Sequence, residues 1–285
     1  MDEFLLVGAQ KRPAPAPKKQ PWFRGRPLAA YAVLAVLILG CAFCPLFLPH
    51  DPTYIDLTRC DLPPCREYLF GTDAMGRDVF SMIWYGGRAS LSIGVLATAI
   101  SAGIAIVLGS LSGFAGKRLD GVLMRAAEIF LSVPELLLIV LLQALLGTAS
   151  VWSLSLVIGL TGWAGIAKVV RTEVRRLRES EYVLAARCMG GSFFHILVRH
   201  LAPNFFSSIL FMLVMNVRSA ILAESTLSFL GLGLPLEVVS WGSMLSLAQQ
   251  ALLTDSWWVV VVPGLFLVAA LLSVTAVGNG LRPEP

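Results

Sequence analysis

Charged side chains are scarce in this sequence of 285 residues: Asp, Glu, Lys and Arg make up 14% of it, against about 25% in soluble domains. Histidine is rarer still. His50, His195 and His200 form neither a His-x-x-x-His nor a His-Glu pair, so no metal site can be nominated. No Gly-x-x-x-x-Gly-Lys-Ser/Thr run exists to cradle a nucleotide. The nearest approach, Gly113-Phe-Ala-Gly116-Lys117-Arg118, has the wrong spacing and no hydroxyl. No serine sits in a Gly-x-Ser-x-Gly elbow. These absences leave no catalytic residue to name and predict a non-catalytic chain.

What is abundant is apolar: 56% of residues are hydrophobic and the mean hydropathy is +0.77. About 20 apolar residues in a helix cross the ~30 Å hydrocarbon layer, and such runs recur. They predict an all-α membrane protein of six spans: Leu28–Leu48, Ala89–Ala115, Ala126–Leu146, Val151–Val170, Leu201–Gly231 and Ser256–Leu281. The third and fourth come from one long run divided at Gly147-Thr148-Ala149-Ser150. The predicted organisation is a disordered basic tail over 1–27, a first span over 28–48, and an external loop with a short helix over 49–88. A five-span core over 89–281 and a tail over 282–285 complete it. No cleavable signal peptide is expected, because the first apolar run is of full span length and lacks a small-residue cleavage site.

The positive charges orient the spans. Seventeen Lys and Arg precede the first span, follow the last, or lie at 117–125 and 168–199, against four at Arg59, Arg66, Arg77 and Arg88. Both termini and the 171–203 loop are therefore expected in the cytoplasm, in a multi-pass membrane protein. Arg171–Arg178 reads as a juxtamembrane basic run rather than a nucleic-acid site. Cys60 and Cys65 share an external loop where a disulfide is possible. Cys41 and Cys44 read as small packing residues and Cys188 as a reduced cytoplasmic thiol. The 71–81 segment, with Asp73, Arg77 and Asp78, fits a short external helix capped near Thr72 or Asp73. It could contact another protein or form a self-paired elbow. Trp241, Trp257 and Trp258 are expected as anchors at the outer membrane interface.

The 181–198 stretch carries Tyr182, Val183, Ala185, Ala186, Met189, Phe193, Ile196 and Leu197 at helical spacing on both sides of Gly190-Gly191. Two short helices about a glycine turn could present an apolar face to a groove on another protein, or lie on lipid headgroups. Of the charges near or within the spans, Arg218 and Glu224 are six residues apart and face different sides of a helix. Glu224 could line a pathway or gate, or bond to a neighbouring helix. Glu128 and Glu135, seven apart, would share a face and read as packing or subunit contacts rather than substrate ligands.

The 181–204 segment resembles the cytoplasmic "EAA" loop of ABC importer permeases. Ala185, Ala186, Gly190 and Pro203 fall in that pattern, while Leu184, His200 and Ala202 replace its Glu, Ile and Leu. Tyr182-Val-Leu-Ala-Ala-Arg187, with Arg199-His200 before Pro203-Asn204, is similar to the dipeptide/oligopeptide/nickel branch. Phe70–Ser81 with Tyr85–Ser92, and Glu224–Gly233 with Ser240–Leu245, resemble segments of its "C"-type permeases. The resemblance implies the type I importer permease fold and import of peptides or a related small solute, with nickel or a metal chelate as possibilities. It implies a second, homologous permease, two ABC ATPases that bind the ATP and Mg, and an extracytoplasmic substrate-binding protein. The chain itself would need no cofactor. Glu181, Tyr182, Ala185, Ala186, Arg187, Gly190, Gly191, Phe193 and Pro203 would form the ATPase-coupling element, with Arg171, Arg175, Arg176 and Arg178 available to acidic groups on the ATPase. Arg218 and Glu224 would serve a pathway or gate. The alternative from another class is a self-contained secondary transporter, which calls for inverted repeats; no clear repeat is visible.

Overall fold

The structure is a computed structural model that describes residues 28–147, 149–190, 192–235, 237–251 and 254–281. The predicted tails at 1–27 and 282–285 lie outside these residues. Helices α1 (Leu28–Phe43), α2 (Val79–Phe114), α9 (Ala202–Phe229) and α12 (Trp258–Asn279) contain segments long and apolar enough to cross a membrane. Two bent pairs complete up to six spans. Helices α3 (Lys117–Ser132) and α4 (Glu135–Leu146) meet at 95°, and α5 (Val151–Thr161) and α6 (Trp163–Leu177) meet at 47°. No strand occurs among the described residues.

Helix α2 is the central post, packed on α5, α6 and α9. Its 36 residues extend about 54 Å at ~1.5 Å each, well beyond a hydrocarbon layer of ~30 Å. It begins ten residues before the predicted Ala89, which shortens the external loop accordingly. Asp78 caps it, accepting from Phe80 N–H (3.2 Å) and Ser81 N–H (3.1 Å). Gly86-Gly87 lies inside the helix and serves packing: a Cβ on Gly87 would lie 2.4 Å from Cys41 Sγ.

A buried stripe of small residues, Gly86, Ser90, Gly94, Ala97, Ser101, Ala105, Gly109 and Gly113, runs along α2 at helical spacing. Small side chains let helix backbones approach closely where the hydrophobic effect between helices is weak. A Cβ on Gly109 would sit 2.6 Å from the Ala167 carbonyl, and one on Gly113 would sit 2.6 Å from Val174. This is how α6 lies against the lower half of α2.

The third and fourth predicted spans each break. Pro134 has no N–H to continue the α3 ladder, and Val133 before it takes an extended conformation (φ −93°, ψ 134°). The turn between the two spans forms where expected: Gly147 has φ +82°, and Ser150 and Ser153 make a reciprocal capping box at the start of α5.

The 71–81 segment is not a helix before Asp78. Thr72 and Asp78 form an isolated antiparallel bridge, closed by an ion pair between Arg77 Nη2 and Asp73 Oδ2 at 2.7 Å. The geometry is that of the self-paired elbow. Trp258 Nε1 donates to Thr72 O at 3.0 Å, fixing the elbow to α12. Trp258 is therefore a core residue, as is Trp241, which donates from Nε1 to Ile83 O at 3.0 Å. Of the three tryptophans expected as interface anchors, Trp257 alone is exposed; the other two found backbone acceptors inside the fold. Cys60 and Cys65 are free thiols in the structure: Cys60 Sγ donates to Leu57 O and Cys65 Sγ accepts from Tyr68 N–H, each at 3.4 Å.

Candidate functional site

The loop between the fourth and fifth spans forms two short helices, α7 (Glu181–Cys188) and α8 (Phe193–Ile196). Ser180 O accepts from the Val183 and Leu184 N–H groups at the start of α7. Gly190, at φ +80°, supplies the left-handed residue that ends α7. Ser192 O then accepts from Ile196 N–H. Beyond α8 the ladder widens to a π turn over Leu197–Leu201, where Ala202 N–H reaches back to Leu197 O. Pro203 has no N–H to offer Arg199 and its ring crowds that carbonyl, which accounts for the widening. Pro203 then sits in the first turn of α9, where a missing N–H costs nothing.

The apolar residues of this loop divide between two faces instead of presenting one. Val183, Ala186, Ile196, Leu197 and Leu201 are buried in a cluster with Ala164, Ala167, Val170 and Val174 of α6 and Phe205 of α9. Tyr182, Leu184, Met189 and Val198 are exposed, Met189 at 81%. Glu181 and Ala185 are also exposed. The loop is thus anchored by one set of side chains while a second apolar set faces outward. Gly191 and the side chains of Arg187, Phe193 and His200 fall outside the described residues.

Arg171 and Arg175 have a partner within the chain rather than standing free for another protein. Arg171 reaches Asp120 through Nε and, at 2.7 Å, through Nη2; Arg175 Nη2 lies 2.6 Å from the same carboxylate. Ser112 Oγ donates to it at 2.5 Å, and Arg178 Nη1 donates to Gly113 O at 3.1 Å. Arg176 pairs with Glu173 at 2.7 Å. This knot joins the end of α2, the start of α3 and the end of α6, immediately before α7. Sequence reasoning missed Asp120; the available signal was its being the single acidic residue between Asp78 and Glu128.

Glu224 is fully buried and accepts four hydroxyls: Ser90 on α2 (2.9 Å), Ser225 (3.3 Å) and Ser228 (3.0 Å) on its own helix, and Ser240 (2.8 Å) at the N-terminus of α10 (Trp241–Ser246). A short turn of helix, α11 (Ala248–Ala251), follows α10. Trp241 N–H donates to Ser90 Oγ at 3.2 Å, so one carboxylate pins α2, α9 and α10 together. These are the contacts the helix-bonding alternative calls for. Arg218 does not pair with Glu224; it is half-buried, and its Nε has no partner.

The breaks in the two bent pairs open onto one cavity of about 520 Å³ whose lining includes Ser132, Glu135, Thr161, Gly162, Asn216 and Ser219. The bend at Pro134 separates Glu128 from Glu135, so the shared face expected for them does not exist. Glu128 pairs with Arg125 at 3.1 Å on the surface. Glu135 lines the cavity instead.

A helical bundle with membrane-length spans, two of them broken around a partly polar cleft, and an exposed two-helix loop is an architecture suited to a transport permease. Residues 105–283 match the family described as binding-protein-dependent transport system inner membrane component, and the chain belongs to that family. It is 35% identical over 293 residues to the dipeptide transport system permease protein DppC of Bacillus subtilis (strain 168), covering 99% of this chain and 91% of that protein. It is also 37% identical over 262 residues to the oligopeptide transport system permease protein OppC of the same organism, covering 91% and 85%. The chain is accordingly an inner-membrane permease component of the ABC transporter class, which displaces the self-contained secondary transporter.

Proposed function

We propose that this chain is one transmembrane subunit of an ATP-driven importer that carries peptides inward. It pairs with a second, homologous permease, receives solute from an extracytoplasmic binding protein, and is driven by two ATPases that bind ATP and Mg. Both termini and the α7–α8 loop then face the cytoplasm, in keeping with the positive-charge distribution. Peptides rather than nickel or a chelate are favoured because the dipeptide and oligopeptide permeases named above match over most of their length. Among the described residues, no group of His, Cys, Asp and Glu gathers to hold a metal ion.

The observation that carries this reading is the two-faced loop. Its buried residues couple rigidly to α6 and α9, while Tyr182, Leu184, Met189 and Val198 present apolar surface of the kind that seats in a groove. Glu181, Ala185, Arg187, Gly191 and Phe193 belong to the same docking element, which motion of the ATPases would push or pull. Pro203 joins it to the fifth span. Gly190→Pro tests the assignment, because proline holds φ near −65° and Gly190 needs +80°. The variant complex should assemble and hydrolyse ATP while peptide uptake in proteoliposomes falls at least about tenfold, a loss of ~1.4 kcal/mol of coupling. Uptake at the wild-type rate would reject the loop as the coupling element.

A further inference from the structure

The cavity between the two broken spans has an uneven charge balance. Glu135 is the one ionisable group in its lining, with no Lys, Arg or His beside it. It lines the cavity and is exposed, and it makes no hydrogen bond or ion pair with any described residue. It occupies the first position of α4 but accepts no backbone N–H as a cap: the Leu137 and Leu138 N–H groups donate to Pro134 O instead. A carboxylate in a membrane-spanning region without a partner is costly unless something else supplies the counter-charge.

The opposite wall is fixed. Asn216, midway along α9, accepts from Thr98 Oγ1 of α2 at 3.0 Å, and its Nδ2 points to Gly162 O at 3.5 Å. The side-chain amide is thereby oriented by two other spans and keeps a second N–H. Ser219, one turn further along α9, lines the same space and has no partner among the described residues. The volume of about 520 Å³ lies within the ~300–1,000 Å³ of small-ligand sites. Discontinuous helices meeting at a cavity are also where solutes bind in other membrane carriers.

From this geometry we infer a transit site for a solute bearing a free ammonium group and an amide. Glu135 takes the protonated amino group, and Asn216 donates to a peptide carbonyl. The inference rests on the peptide-import reading and specifies its substrate chemistry: solutes with an unblocked amino terminus are passed on, and blocked ones are not held here.

The first test uses the complete transporter in proteoliposomes with its binding protein, ATP and radiolabelled dialanine. Glu135→Gln should lower dialanine uptake about ten- to a hundredfold, as expected for losing a hydrogen bond to a charged group. ATP hydrolysis stimulated by the binding protein should stay near wild type, and Glu135→Asp should recover part of the uptake. Unchanged uptake in Glu135→Gln, or a parallel fall of uptake and hydrolysis without rescue by Asp, overturns the assignment. If the wild-type complex moves no dialanine, the peptide reading fails separately, and the cavity is judged by a second measurement.

That measurement places Ser219→Cys in a complex whose permease has its own five cysteines replaced by alanine. An ammonium-bearing methanethiosulfonate should label Cys at 219 about tenfold faster than a sulfonate-bearing one, since a fixed charge in a cleft concentrates the opposite ion. Adding Glu135→Gln should abolish the difference. Equal rates at the outset, or a preference that survives Glu135→Gln, removes the site.

Discussion

Glu224 and Glu135 both stand in the membrane-spanning part of the chain, yet their surroundings are opposite. Glu224 is closed in by four serine hydroxyls from three helices, and no solvent reaches it. Glu135 meets a cavity and has no partner among the described residues. The difference teaches that an acidic residue in an apolar span has no single meaning. Burial with full hydrogen bonding makes a structural pin, because each acceptor position is used and removal strands several donors. Exposure to a cavity without a counter-charge leaves the charge free for a solute. Asp120 falls between the two: its carboxylate is saturated by Arg171, Arg175 and Ser112, but both arginines retain partial exposure.

That contrast can be broken by stability measurements on the chain in detergent. Glu224→Ala should have the largest effect, a loss of about 3 kcal/mol or more, since it strands buried hydroxyls and leaves a void. A steep fall in melting temperature and in yield of folded protein would register it. A melting temperature equal to wild type would mean the serine cage holds nothing together. Asp120→Asn comes next. It leaves two guanidinium groups side by side with a neutral partner and should cost about 2 kcal/mol, moderated by their partial exposure. The deficit should grow as salt is lowered, because the remaining repulsion is then less screened. Glu135→Leu should change stability least, within about 0.5 kcal/mol, measured as an unaltered melting temperature. A large loss there would show that Glu135 is a pin like Glu224 and would erase the comparison.

The α7–α8 loop and the 71–78 elbow make a second contrast in what could be read beforehand. Gly190 announces its turn locally, because a break between two helical patterns needs a residue that tolerates positive φ, and the observed φ of +80° meets that need. The elbow at 71–78 carries equally local signals, but they were compatible with a short helix as well. Asp73 and Asp78 can each cap a helix; Asp78 caps α2, while Asp73 pairs with Arg77. The cap falls at Asp78 rather than near Thr72 or Asp73 because it depends on where the long helix finds its packing partners, and sequence spacing does not contain that.

Hydropathy and turn chemistry were enough to establish an all-α membrane chain, the number of apolar runs, the hairpin at Gly147–Ser150 and the two-helix loop about Gly190. Those features arise from interactions within a few residues or from the solvent each run must meet. The tertiary structure alone decided the rest: that Arg171 and Arg175 turn inward to Asp120, 51 and 55 positions away, and that Ser90 reaches Glu224 across 134. It also decided that Trp241 is core rather than anchor, and that Glu135 parts from Glu128. A polar group in a low-dielectric interior takes whichever partner the packing brings within about 3 Å, and that partner is chosen by helix contact rather than by order along the chain.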